Sequence, residues 1–500
     1  MESIGNLLTG LSIAIQPSNL LYCFLGVFLG TFIGVLPGIG PLAGIALLLP
    51  ITYGIDTTAA IILLAGIYYG CQYGGSTTAI LMNVPGEVSS IVTCLDGYQM
   101  ALKGRAGAAL GIAAFGSFIA GTLGTIGLML IANPVAKIAL KFGAPEFFSL
   151  MVLGIAVLTS ISHGLTSKAL IMAAVGYALS FIGIDSISGK ERFTFDIIYL
   201  NSGLDLGPLA IGLFGVSEVL INMEESTKST IIQMKTKFKG YLPSLRDWRD
   251  SIGPILRGTG LGFFVGTIPG GGALLASFVS YATEKRLSKY PRKFGTGVIE
   301  GVAGPESANN AGASGGFIPL LTMGIPSNVV MALLLGALMI HGVQPGPLFL
   351  TQHSDIFWGV IGSMYIGNVI LLVLNLPLIP LWVQILKVPK NILLPLILLF
   401  CILGSYSVNN NIVDVMVMGI SGFAGYFLRK LDYEVAPLCL AFVLGPIMEN
   451  AFRQSLIISD GSFAIFVERP LAAVMLAIAV FLLVFSEVRG KKIVEVDLDA

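Results

Sequence analysis

The apolar positions of this chain fall in long unbroken runs rather than in alternation. They occupy Leu20–Leu36, Leu42–Ile51 and Ala59–Gly70, then stretches near 106–132, 146–161, 169–184 and 204–222. After a hydrophilic segment they resume near 328–340, 356–382, 391–403, 412–428, 435–447 and 470–487. Runs such as Ile392–Leu403 and Leu471–Phe485 show no period of two, which argues against a transmembrane β-barrel. At about 20 residues per crossing, the pattern predicts an all-α polytopic integral membrane protein with about 10–12 transmembrane helices. Two runs are interrupted by turn residues, at Leu36-Pro37-Gly38-Ile39-Gly40-Pro41 and at Gly266-Thr267-Ile268-Pro269-Gly270-Gly271-Gly272. These predict broken or re-entrant helices.

The stretch Gly301–Ser327, GVAGPESANNAGASGGFIPLLTMGIPS, stands out within this apolar chain. Its glycines and prolines predict that no continuous helix forms here. Irregular backbone at membrane depth is tolerated only where it is buried in protein or lines a wet cavity. The stretch is therefore expected to build a binding site. The alternative is a long cytoplasmic loop. A second polar patch lies at Tyr73–Thr78, followed by Asn83-Val84-Pro85-Gly86-Glu87.

The two halves share these features in the same order. Gly30–Gly38 aligns with Gly262–Gly270, and Gly74-Gly75 with Gly315-Gly316. Asn83–Gly86 aligns with Gly324–Ser327, and Gly116-Ser117 with Gly362-Ser363. The expected organisation is a membrane repeat over 20–223, a cytoplasmic linker over 224–254 and a second membrane repeat over 255–470. A C-terminal transmembrane helix and short cytoplasmic tail fill 471–500. Lys and Arg mark cytoplasmic loops. Placing Lys103/Arg105, 224–257, Glu284–Lys293, Lys387/Lys390, Arg429/Lys430 and Arg489–Lys492 inside makes the repeats inverted in the membrane. Lys137/Lys141 and Lys190/Arg192 then fall outside, against the rule.

Composition narrows the picture further. The chain is 55% hydrophobic and 11% charged, with zero net charge. Soluble domains carry about 25% charged residues. No basic patch points to nucleic acid. The five cysteines lack metal or disulfide spacing and are expected to act as small apolar packing residues. The start MESIGNLL lacks a basic n-region, so no cleavable signal peptide is expected.

Matched helix breaks are where secondary transporters place substrate and coupling ions. Helix N-termini attract carboxylates, and unwound carbonyls attract cations. The candidate substrate or cation residues are Pro37, Gly38, Gly40, Ser76, Thr77, Thr78 and Asn83 in the first half. In the second they are Gly270, Gly271, Glu306, Ser307, Asn309, Asn310, Thr322 and Ser327. A Na+ site is expected near Ser76, Asn83, Ser307 and Asn310. Glu306 is either a cation or proton carrier, or a residue at a wet cytoplasmic mouth. Glu87 carries the same ambiguity. Gly312-Ala313-Ser314-Gly315-Gly316 fits G-x-S-x-G but lacks the strand-to-helix elbow and an acid partner for His163, His341 or His353. No enzymatic activity and no resident cofactor are expected. A secondary transporter is the leading reading, with an ion or solute channel and an intramembrane hydrolase as rivals.

At these motifs the chain resembles a known family. GVLPGIGPLAG (Gly34–Gly44), YGGSTTAILMNVPGE (Tyr73–Glu87), GTIPGGG (Gly266–Gly272), GPESANNA (Gly304–Ala311) and PLLTMGIPS (Pro319–Ser327) are similar to those of the tripartite tricarboxylate transporters, large permease subunit, the TctA family. The resemblance runs from about residue 20 to 470. It implies a multi-pass permease of the bacterial inner membrane. Such a permease works with a small four-span membrane subunit and a periplasmic solute-binding protein. It imports citrate-like tricarboxylates or related carboxylates by symport with Na+ or H+. The substrate itself is not encoded in these motifs.

Overall fold

A computed structural model of the chain describes residues 2–36, 40–161, 166–185, 187–224, 242–268, 272–385 and 390–498. Among them the fold is helical, apart from one antiparallel pairing of Gly183–Ile184 with Glu191–Arg192. Among the described residues five helices are long and apolar enough to cross a membrane: Pro17–Val35, Ala106–Ala139, Leu206–Glu224, Ser354–Leu374 and Ile412–Lys430. Shorter apolar helices include Ala144–Ser160, Thr166–Leu179, Val329–Ile340 and Pro470–Ser486. This is a multi-pass helical membrane protein. The five are fewer than the expected count of about 10–12. Two of the most buried helices, Thr57–Met82 and Glu300–Met323, fall outside the five. The first is rich in Gly and Thr and the second in Gly, Ser and Asn, and both are packed by protein, so neither has the uniformly apolar composition of a lipid-facing span.

These two helices each pair with a preceding one. Pro17–Val35 lies along Thr57–Met82, and Leu245–Thr267 lies along Glu300–Met323. Glycines make the contact. A Cβ on Gly30 would sit 2.5 Å from the Ile67 carbonyl oxygen, and one on Gly34 2.5 Å from that of Cys71. In the second pair, a Cβ on Gly262 would sit 2.2 Å from the Ala308 oxygen, and one on Gly266 2.2 Å from that of Gly312. Backbone therefore touches backbone in both pairs. Lipid tails are as apolar as Leu, so close packing replaces the hydrophobic drive that holds soluble helices together.

The pairs also end alike. Pro17–Val35 stops at Leu36 and Leu245–Thr267 at Ile268, both in extended conformation. Helix resumes at Gly40 with φ 63° and at Gly272 with φ 56°. The long partner helices end at left-handed residues, Asn83 with φ 56° and Gly324 with φ 71°. The matched motifs thus occupy equivalent places in two similar arrangements. Pro37, Gly38, Gly270 and Gly271 lie outside the described residues, as does His163. A capping box at Ser244, closed by Asp247, starts the next helix at Leu245.

One expectation is overturned. Gly301–Ser327 is not broken throughout: Glu300–Met323 is a continuous α-helix with Pro305 and Pro319 inside it. The polar patch Ser76–Thr78 likewise sits within a continuous helix, Thr57–Met82. Intrinsic propensity disfavours helix here. Packing decides otherwise, because small residues let neighbouring helices close around the backbone. The break comes only at Gly324.

The glycine contact makes a testable contrast. Gly262→Ala is expected to cost at least about 1–3 kcal/mol through overpacking against backbone. Gly260→Ala, with nothing within 4 Å of its Cβ, should instead gain up to about 1 kcal/mol in helix propensity. Thermal unfolding of the purified protein in detergent measures both. Equal midpoints for the two variants would show that the backbone contact does not hold the pair.

Candidate functional site

The helix Glu300–Met323 is buried from Gly301 to Thr322. Glu306, 0% exposed, lies within it. Burying a carboxyl group is costly unless its oxygens are hydrogen-bonded. Here both are. The Ser76 hydroxyl, from the 57–82 helix, donates to Oε2 at 2.5 Å. The Thr93 hydroxyl, from the short helix Ile91–Thr93, donates to Oε1. Asn309 Nδ2 stands 3.5 Å from Oε2, at the outer limit of a bond. Among the described residues no Lys, Arg or His pairs with this carboxyl. The first half of the chain thus supplies both hydroxyls that hold a second-half acid.

One turn on, Asn310 Nδ2 faces three acceptors. They are Ser117 Oγ at 2.7 Å, Asn309 Oδ1 at 2.7 Å and the Glu306 carbonyl at 3.0 Å. An amide nitrogen has two hydrogens, so the three acceptors share them. Ser117 belongs to the long helix Ala106–Ala139. Ser307 is fully buried and its hydroxyl has no partner. Beside this network lies a cavity of about 10 Å³, lined by Tyr73, Ser76, Thr77, Ser117, Asn375 and three apolar residues of the 106–139 helix. That is room for about one water-sized group.

The remaining candidates lie elsewhere. Thr78 donates to the Gly75 carbonyl of its own helix. Asn83 is exposed and sits seven residues past Ser76, about 10 Å along the axis. It is not brought to the Ser76–Glu306 contact, so the expected grouping of Asn83 with Ser76, Ser307 and Asn310 does not form. The left-handed cap at Asn83 ends the helix before it could turn back. Thr322 donates to the Ile318 carbonyl and lies about 24 Å along the axis from Glu306. Ser327 is buried beyond the helix end, with its hydroxyl unpartnered and close to Gly316. Gly40 serves as the left-handed first residue of Gly40–Leu48. Ser314 donates to the Asn310 carbonyl within its own helix, and the His341 ring pairs with Thr52. Among the described residues the G-x-S-x-G serine thus bonds within its own helix, and no histidine bond to it is found.

Thr93 was not apparent in the sequence. It precedes a π-helical turn, Cys94–Tyr98. Such turns are frequent at functional sites. In that turn Asp96, 0% exposed, accepts from the backbone N–H groups of Gly295, Gly297 and Val298 and from the Tyr281 hydroxyl at 2.9 Å. The segment leading into the 300–323 helix is thereby fastened to the segment that carries Thr93. Glu87, also buried, accepts from Ser89 N–H at 3.1 Å, and Ser89 donates to Gln72 at 2.8 Å. Glu87 thus caps the turn that leads to Thr93.

The fold and this centre define a multi-pass helical membrane protein whose polar core is built from side chains of both halves. The chain belongs to the tripartite tricarboxylate transporter TctA family, whose family model matches residues 20–440. It is 50% identical over 495 residues to an uncharacterized 52.8 kDa protein in the TAR-I ttuC' 3'region of Agrobacterium vitis, covering 98% of both chains. It is 51% identical over 234 residues to an uncharacterized protein in the TAR-II ttuC' 3'region of the same organism. That match covers 46% of this chain and 97% of the relative. No solved structure matches the chain.

Ser76→Ala and Thr93→Val should each cost about 1–3 kcal/mol, because each leaves a buried carboxyl oxygen unsatisfied. The double variant should depart from the sum of the two, since both hydroxyls serve one carboxyl group. Strict additivity in detergent unfolding would show that the two contacts are independent.

Proposed function

We propose that this chain is the large permease subunit of a binding-protein-dependent secondary transporter. It imports tricarboxylates or related carboxylates across the bacterial inner membrane, coupled to Na+ or H+. Its partners are a small four-span membrane subunit and a periplasmic solute-binding protein. Membership of the family supports this reading. The observation that carries it furthest is the Glu306 carboxyl, buried without a basic partner among the described residues and held by hydroxyls from the other half. An ionisable group inside a membrane protein is costly and by default functional. A group held by neutral hydroxyls can exchange a proton or a cation without dismantling an ion pair.

Two matched helix pairs, each followed by a break, suit alternating access around a central site. With the basic segments placed inside, the pairs run in opposite directions through the membrane. Ser307, Asn309 and Asn310 then contribute from one half, with Ser76 and Thr77 facing them from the other.

Uptake of labelled citrate and a panel of di- and tricarboxylates by proteoliposomes tests the function. Accumulation should require both membrane subunits, the binding protein and an ion gradient. Glu306→Gln should lower the rate at least about 10-fold, in line with the loss of a charged hydrogen-bonding group. Full-rate uptake without the binding protein would refute the dependence on it. Failure to take up any carboxylate with all three components present would refute the substrate class.

Orientation has its own test. In intact cells, a membrane-impermeant thiol reagent should label Thr351→Cys but not Arg249→Cys, each made in a cysteine-free background. The reverse pattern would overturn the orientation and the inverted relation of the halves.

A further inference from the structure

The cavity beside Glu306 is lined in part by a residue, Asn375, that the reading above does not use. Asn375 follows the last turn of the helix Ser354–Leu374 and is 5% exposed. Its Nδ2 donates to the Leu371 carbonyl at 3.0 Å, which identifies the other amide atom as the acceptor oxygen. That oxygen is buried and has no partner. A buried acceptor left unsatisfied costs about 1–3 kcal/mol. It therefore calls for a ligand, and Asn375 lines the cavity together with Ser76, Thr77 and Ser117.

The surrounding groups select the ligand's charge. Ser76 spends its proton on Glu306 Oε2, so its oxygen is left as an acceptor. Tyr73 likewise donates to Asn368 Oδ1 at 2.5 Å. The carboxyl group stands one hydrogen bond behind the cavity wall, which disfavours an anion. The first layer holds only neutral oxygens, with one acid behind it, which matches a single positive charge. Oxygen ligands suit hard cations, and Mg2+ keeps several waters that about 10 Å³ cannot admit.

We propose that this cavity is a Na+-sized monovalent cation site. Its ligands are Asn375 Oδ1 and the hydroxyl oxygens of Thr77, Ser76 and Ser117, with Glu306 as the charge behind them. The inference rests on the transporter reading only for the role of the ion as a coupling ion. Binding itself stands on the cavity and on the unpartnered Asn375 oxygen. The site differs from a grouping around Asn83, which lies too far along its helix to take part.

The test uses the full-length chain purified in detergent. Its unfolding midpoint is followed as NaCl, KCl or choline chloride is raised at constant ionic strength. A ligand that binds only the folded state raises the midpoint with a saturating dependence on its concentration. NaCl should stabilise with saturation, and choline chloride should not. Asn375→Ala and Thr77→Val should each raise the half-saturating Na+ concentration at least about 10-fold, while Thr77→Ser should retain the wild-type value. If Asn375→Ala does not fold, the two Thr77 variants decide the matter. Identical NaCl and choline curves for the wild type would mean that the cavity takes only water, and would overturn the proposal. Unchanged Na+ half-saturation in Thr77→Val would overturn it as well. Saturable Na+ stabilisation that Thr77→Val weakens would support the site even if the complete assembly takes up no carboxylate, so the two readings fail separately.

Discussion

A carboxyl group without a counter-ion has to be reconciled with complete burial, and much of this structure follows from how that is done. Glu306 cannot be hydrated, and no basic side chain neutralises it among the described residues. Its two oxygens are instead satisfied by hydroxyls from the 57–82 helix and from the 91–93 turn. Those donors must approach from separate elements, so both elements have to reach the 300–323 helix. That helix is largely Gly, Ala, Ser and Asn around the acid, and this is what lets three neighbours come so near. Bulky side chains there would satisfy the lipid but would starve the carboxyl of partners.

The same small residues explain the two helix pairs. Where a glycine meets a carbonyl at backbone distance, no side chain remains to adjust, and each pair behaves as one thick element. Each pair thus brings its two backbones together without side chains between them. The polar network of Glu306, Asn309, Asn310 and Ser117 is thus held by elements that have little freedom to repack.

How far the sequence revealed this depends on the residue. The long apolar runs, the two breaks near residues 36 and 268, and the likeness of the two glycine-packed helix pairs could all be read from glycine, proline and hydropathy. Glu306, Ser76 and Asn310 were accessible for the same reason: each is a polar group in a lipid-grade context. The path of the chain through Gly301–Met323 was not. Helix propensity describes a segment facing water, and here a ring of neighbouring helices overrules it. Thr93 and Asn375 were also hidden. Each sits at the end of a short or ordinary helix, and only the fold reveals that one meets a carboxyl and the other a cavity. The grouping of Asn83 with Ser76 failed on simple geometry, because an unbroken helix separates them by two turns.

Asp96 has a wider consequence. Its carboxylate gathers three backbone N–H groups from 295–298, and Thr93 lies one turn before it. The 288–299 connection is therefore tied, through Asp96 and the turn that follows Thr93, to a hydroxyl that touches the buried acid. The connection and the buried acid are thus separated by no more than two sets of hydrogen bonds and one helical turn.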